Sequence, residues 1–364
     1  MRKPFNNIVC AFLLCLLLTF ATVPAFAKET IDVTDHRGIV VKIPAKIERV
    51  VISSILPLPS VYCLYRGGPK NLVAIPAASM AAAKHSYLAK VYPEILNLNS
   101  DFAKGGSVNI EEIIKLKPDV VFYRANEEAE AELYKKAGIP AVAFSTTIAG
   151  VNTINTFAAW IDLLEKIFGK SQRAAEIIAY GNEVLEKIQT RVKSLPDKER
   201  TKTLIVFSYS GGQLNAGGSN FFSEFWIGQT GGKNVAASIK GRKSVNMEQI
   251  YSWDPDVILI TNFCPYVPED FYGNKIEGYN WSNLKATKNK RIFKFPLGMY
   301  RWFPPASDTP LCLLWLAKHI QPERFKDIDM DKEITNYYKR FYDRTLTKED
   351  LKAIYNPPRD AAIY

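Results

Sequence analysis

A twelve-residue motif occurs twice in the chain, and this repeat limits the possible folds more than any other feature. Asn109-Ile110-Glu111-Glu112-Ile113-Ile114-Lys115-Leu116-Lys117-Pro118-Asp119-Val120 and Asn246-Met247-Glu248-Gln249-Ile250-Tyr251-Ser252-Trp253-Asp254-Pro255-Asp256-Val257 share asparagine, glutamate, isoleucine, proline, aspartate and valine in one register. In each copy the asparagine suits the N-cap of a short helix, Pro-Asp stops that helix, and an apolar strand follows. Two such units, one in each half of the chain, predict two similar α/β lobes.

The flanking residues extend this pattern. Ile31 to Thr34 and Ile39 to Ile43 read as a hairpin turning at Asp35-His36-Arg37-Gly38. The strand Arg49 to Ile52 then runs into Ser53-Ser54 and a helix through Val61 to Tyr65. Strands at 72–75, 120–123 and 140–144 alternate with helices at 111–116 and 127–136, which predicts a parallel sheet covered on both faces. From Thr153 to Leu195 the pattern is helical, broken at Gly169 and restarted by the N-cap residue Ser171. Ile177, Gly181, Val184, Ile188, Val192 and Leu195 mark one buried face of a helix of about 24 residues, roughly 36 Å long and able to join two lobes.

A second series contains a strand at 203–207, a glycine-rich loop at 211–218, a helix at 221–229, strands at 257–260 and 291–295, and helices at 311–319 and 332–345. The expected fold class is therefore α/β, with two Rossmann-like lobes of mostly parallel sheet joined by a long interlobe helix. The boundaries are 1–27 for a leader, 28–152 for the first lobe, 153–196 for the helical connection and 197–364 for the second lobe with its helical C-terminus.

The leader is read from Arg2 and Lys3, the apolar run Ile8 to Phe20, and Ala25-Phe26-Ala27 before Lys28. That run is too short for a permanent membrane span, so a cleaved signal peptide and a periplasmic chain are expected. Leu14 precedes Cys15 where a lipoprotein would carry a small residue, so no lipid anchor is expected. Cys63, Cys264 and Cys312 follow no CxxC spacing and indicate no disulfide framework; each suits a small buried site, with one pair left open by an oxidising compartment. The net charge of +10 comes from scattered lysines and arginines, and export argues against a nucleic-acid partner.

Chemistry-bearing residues are sought where open parallel sheets bind ligands, in the loops beyond the carboxyl ends of strands. These loops supply Ser53 and Ser54, Ser79 with Lys84 and His85, residues 105–107, Tyr123 and Arg124, Tyr209, Asn262 with Tyr266, and Tyr300, Arg301 and Trp302. Arg301 stands first, because a planar guanidinium between two aromatics suits a carboxylate, a catecholate complex or an oxyanion; the alternative is an arginine stacked on Trp302. His85 is a candidate metal ligand or a plain helix-end residue, and His36 and His319 read as structural. The Gly211-Gly212 and Gly217-Gly218 pairs either present free amides to an anion or form an ordinary loop. No GK[ST] follows them, which excludes a nucleotide P-loop. Glu111 and Glu248 either complement their helix dipoles or project as one acidic knob per lobe.

No GxSxG or HExxH occurs, and no histidine lies near a plausible nucleophile, which disfavours a secreted hydrolase. Three histidines without ligand spacing give no metal site. A structural or adhesive role is the third class, and it predicts no tight small ligand.

In order and spacing, several motifs resemble the periplasmic substrate-binding proteins of iron–siderophore, haem and cobalamin ABC importers. They are Val33-Thr34-Asp35-His36-Arg37-Gly38 before Arg49-Val50-Val51, Gly106-Ser107-Val108-Asn109-Ile110-Glu111, Ala137-Gly138-Ile139-Pro140, Gly231-Gly232-Lys233-Asn234, and Trp315-Leu316-Ala317-Lys318 with Pro322-Glu323. The resemblance implies a monomeric receptor that is not an enzyme, has no cofactor beyond any metal carried in its ligand, and closes little on binding. It also implies docking to the ABC permease through Glu111 and Glu248. The ligand implied is a metal chelate of the siderophore, haem or corrinoid kind, with a molybdate-like oxyanion or a small nickel chelate left open.

Overall fold

The computed structural model describes residues 29–104 and 107–362. The leader at 1–27 and two of the candidate loop residues, Gly105 and Gly106, lie outside the described residues. In the first lobe, strands Leu72–Ala74, Val50–Ile52, Val120–Arg124 and Ala141–Phe144 lie side by side in that order, all parallel. Helices Leu58–Arg66, Ile110–Lys115 and Glu128–Ala137 make the crossovers, so Val50–Ile52 is wholly buried and reads as an unbroken apolar run. The hairpin Thr30–Thr34 with Val40–Pro44 docks through Asp35, whose Oδ1 accepts from the Arg37 and Ile39 amides while Oδ2 accepts from Ala143 N at 3.2 Å.

The second sheet runs Arg242–Val245, Gln213–Gly217, Thr201–Ser210, Val257–Phe263, Ile292–Lys294, with Gly232–Asn234 beside the start of Thr201–Ser210. Gln213–Gly217 runs antiparallel to both its neighbours, and the other described strands of this sheet share one direction. The segment expected as a glycine loop is therefore a hairpin. Gly211 (φ 57°) and Gly212 (φ 76°) form its turn. At Gly218 a Cβ would lie 2.0 Å from the Ile239 carbonyl oxygen, and its amide donates to Gly241 O, so this glycine permits close backbone approach rather than presenting an amide to an anion.

Helix Thr153–Phe168 ends at Gly169, and Ser171 Oγ caps the interlobe helix Gln172–Val192 by accepting from Ala174 N. The 21 residues of that helix span about 31 Å. It stops three residues short of Leu195, whose amide turns back onto Val192 O before Pro196.

The lobes are joined by more than this helix. Helices Met330–Tyr342 and Lys348–Tyr355, from the 197–364 segment, pack back onto the first lobe. The rings of Tyr338 and Tyr342 meet Tyr87 and Tyr92 at 5.3 and 6.4 Å, Lys90 pairs with Asp350 at 2.8 Å, and Arg344 donates to Val91 O. One apolar core consequently runs from Val50 through Trp160 and Ile188 to Leu314 and Tyr338.

Candidate ligand-binding cleft

Both sheets point their carboxyl ends at a cavity of about 410 Å³ between the lobes. The first lobe contributes Ser54 to Pro57 after strand Val50–Ile52, Arg124 at the end of its strand, and Thr146 and Thr147 after Ala141–Phe144. The second lobe contributes Phe207 from within strand Thr201–Ser210, Phe263 at the end of Val257–Phe263, Asn220 to Phe222 at the start of helix Phe222–Gln229, Arg242, and Tyr300, Phe303 and Pro304.

The first wall is built on a buried carboxylate. Ser53 Oγ, Ser54 Oγ and Tyr134 OH all donate to Glu130 Oε2, at 2.8, 3.0 and 3.3 Å. Burial raises the Glu130 carboxyl above its ordinary range, and the three hydroxyls act against that shift. Ser54 Oγ also accepts from Arg124 N at 2.9 Å, which ties the serine turn to the strand end carrying the arginine. Ser53 thus lies behind the wall and Ser54 in it. The Arg124 guanidinium pairs with Glu127.

The second wall is aromatic and is braced from behind. Arg301, placed first among the ligand groups by its sequence neighbours, is fully buried and does not line the cavity. Its Nη1 donates to Tyr300 OH (3.1 Å) and Ala78 O (3.3 Å), and its Nε and Nη2 donate to Ala361 O at 3.2 and 2.8 Å. The guanidinium carbon sits 5.0 Å from the Phe263 ring and 5.5 Å from the Tyr300 ring. Its donors satisfy the buried Ala361 carbonyl and tie it to helix Ala77–His85, so it supports two rings that face the cavity.

Trp302 is likewise buried, with Nε1 donating to Asp308 Oδ2 at 3.2 Å. The same oxygen accepts from Met299 N (2.6 Å) and Tyr300 N (3.3 Å), and burial pushes the Asp308 carboxyl up to about 7. Gly298 is needed there, since a Cβ would come within 2.5 Å of Asp308 Oδ2 and of Tyr338 OH.

Other candidates fall outside the cavity lining. Tyr123 is buried beneath the hairpin and accepts from Arg37 Nη1 at 3.0 Å. Tyr209 and Tyr266 pair edge to face at 5.0 Å, and Asn262 donates to Phe295 O. Lys84 and His85 are exposed at the end of helix Ala77–His85, whose Ser79 hydroxyl holds Leu56 O at 2.7 Å. His36 Nδ1 accepts from Ser145 N, and buried His319 is driven down to about 4. Among the described residues, Cys63, Cys264 and Cys312 are buried free thiols, and no three His, Cys, Asp or Glu side chains are placed to hold a metal.

Most of the aromatic wall and Arg242 are not among the residues expected from the sequence. Phe207, the last residue of the strand expected at 203–207, and Phe263, the last residue of strand Val257–Phe263, carried a usable signal. Arg242 lay in a polar Lys-Gly-Arg-Lys run with no strand pattern. Its guanidinium covers the Phe207 ring at 4.9 Å, and among the described residues no carboxylate pairs with it.

A cavity between two α/β lobes, lined by two arginines, hydroxyls and aromatic rings, has the form of a site that holds a ligand between lobes. The chain belongs to the periplasmic binding protein family, whose pattern matches residues 63–296. It is 29% identical over 365 residues to the molybdate-binding protein MolA of Haemophilus influenzae, covering 94% of this chain and 99% of MolA. Among solved structures, a periplasmic solute binding protein from Veillonella parvula superposes with a TM-score of 0.80 at 33% identity, covering 90% of this chain and 97% of that one. MolA bound to molybdate superposes with a TM-score of 0.72 at 26% identity, over 87% of this chain and 99% of MolA. The protein is therefore a periplasmic substrate-binding component of an ABC importer that works with permease subunits, and it is not an enzyme. Among the described residues no helix is long and apolar enough to cross a membrane.

Proposed function

We propose that this receptor captures an anionic metal chelate and delivers it to the permease, with Arg124 and Arg242 gripping acidic groups of the ligand from opposite lobes. One observation carries the reading: a cavity of about 410 Å³ sets five phenylalanines and Tyr300 opposite the hydroxyls and arginine of the other lobe. That volume suits a drug-sized organic ligand, and flat rings contribute contact area that a tetrahedral oxyanion does not use. Any metal arrives inside the ligand, and the chain holds no resident cofactor. The test is native mass spectrometry of protein isolated from its own cells, followed by calorimetry with a ferric catecholate chelate and with molybdate. Tight chelate binding with weak molybdate binding is expected, and the reverse result would replace the chelate with the oxyanion. That second reading is favoured by the likeness to MolA across nearly the whole chain and by the two arginines.

Two further assignments complete the proposal. Removal of residues 1–27 frees the protein without a lipid anchor, which an intact mass beginning at Lys28 would verify. Glu111 and Glu248 each occupy the first turn of an asparagine-capped helix, are exposed, and among the described residues form no ion pair. They dock to basic sites on the two permease subunits. Glu111→Ala with Glu248→Ala should abolish uptake while leaving ligand affinity intact.

A further inference from the structure

Among the described residues the exposed large apolar side chains are Ile39, Val40, Leu96, Ile114, Ile148 and Tyr251. Single exposed apolar residues need no explanation. Ile114 and Tyr251, however, hold the same position in the two copies of the repeat, three residues after Glu111 and Glu248. Residues three apart share a helix face, so each glutamate has an apolar neighbour beside it.

The local structure fixes this arrangement in both lobes. Asn109 Oδ1 accepts from the Glu111 amide at 3.0 Å, and Asn246 Oδ1 accepts from the Gln249 amide at 2.9 Å. Ile113 and Ile250, fully buried, anchor the opposite faces of the two helices. The next residue therefore projects outward, with Ile114 50% and Tyr251 38% exposed. Tyr251 OH donates to Asn280 O at 2.6 Å, which pins the ring to the surface. Each helix carries the chain back to the start of a strand, Val120–Arg124 or Val257–Phe263, whose far end reaches the cavity.

We infer that Ile114 and Tyr251 are apolar contact residues for the membrane permease, one per lobe, each packing beside a carboxylate on equivalent sites of a two-subunit partner. This rests on the docking reading for Glu111 and Glu248. The pairing of one acid with one apolar side chain, repeated by the internal symmetry, fits a partner that presents a basic pocket with an apolar rim twice.

The test uses the mature receptor and its cognate permease–ATPase complex in lipid nanodiscs, with binding read by biolayer interferometry. Ile114→Ser with Tyr251→Ser should weaken binding roughly ten-fold or more. The loss should persist at high salt, with melting temperature and ligand affinity unchanged. Tyr251→Phe should retain binding, and Ile39→Ser with Val40→Ser, on the hairpin, should bind as wild type. Wild-type binding by the Ile114/Tyr251 variant while Glu111→Ala/Glu248→Ala abolishes it would overturn this inference and leave docking standing. An equal loss in the hairpin control would also overturn it. Wild-type binding by the glutamate variant would overturn the docking reading itself.

Discussion

The two walls of the cleft are made differently. The first-lobe wall sets hydroxyls and Arg124 among Ile55, Leu56, Pro57 and Val151 and rests on one carboxyl, Glu130, that gathers three hydroxyls; the second-lobe wall is a cluster of rings held by Arg301 and Asp308 from behind. The difference separates two tasks. Under the proposed reading, the hydroxyls and Arg124 on one side, with Arg242 on the other, direct the ligand, while the rings supply contact and need rigid support, because rings packed edge to face tolerate little displacement.

The largest expected effect tests that support through pH. Asp308 is pushed up to about 7 in the fold but titrates near 3.9 in an unfolded chain, so the folded state holds the extra proton. Its stabilising contribution is complete below pH about 4 and is lost as pH rises through about 7. Relative to Asp308→Asn, the wild type should lose up to about 4 kcal/mol between pH 4 and 8, read by urea denaturation. A constant difference between the two proteins would show that the loop does not depend on this carboxyl.

Arg301→Leu comes next. It strands the buried Ala361 carbonyl, removes the link to Ala78 and should lower stability by about 3 kcal/mol, with weaker ligand binding as a consequence. Arg124→Ala should do the opposite. Being half-exposed, Arg124 should leave the melting temperature nearly unchanged, yet its loss should weaken ligand binding about thirty-fold, worth about 2 kcal/mol by calorimetry. If Arg301→Leu impaired binding alone and Arg124→Ala impaired stability alone, the division of labour between the walls would be reversed. The smallest effect is expected from Phe222→Leu, which keeps apolar area but loses a ring face and should reduce affinity by about 1 kcal/mol in the same titration.

The sequence exposes these two walls unequally. Strand ends such as Arg124 and the Ser53-Ser54 turn were legible, because an apolar run that stops at polar residues marks the carboxyl edge of a parallel sheet. The repeat and the asparagine caps likewise fixed two lobes and the helix positions, since capping and periodicity are local properties. Burial of an arginine is not local. The Tyr300-Arg301-Trp302 run has the composition of a ligand clamp, and only the return of Ala361 and Ala78 from distant parts of the chain turns it into a brace. Arg242 escaped for the converse reason, because its strand is paired only along Gln213–Gly217 and has no apolar pattern of its own.

The return of the C-terminal segment also sets an order of events in the life of the molecule. Tyr338 and Tyr342 complete the packing around Tyr87 and Tyr92, and Ala361 completes the donor set of Arg301. Synthesis runs from the N-terminus, and such distant partners must be brought together against chain entropy. The packing around the first lobe is therefore completed by residues made after it. The two lobes are thus clasped by a segment that belongs to neither sheet.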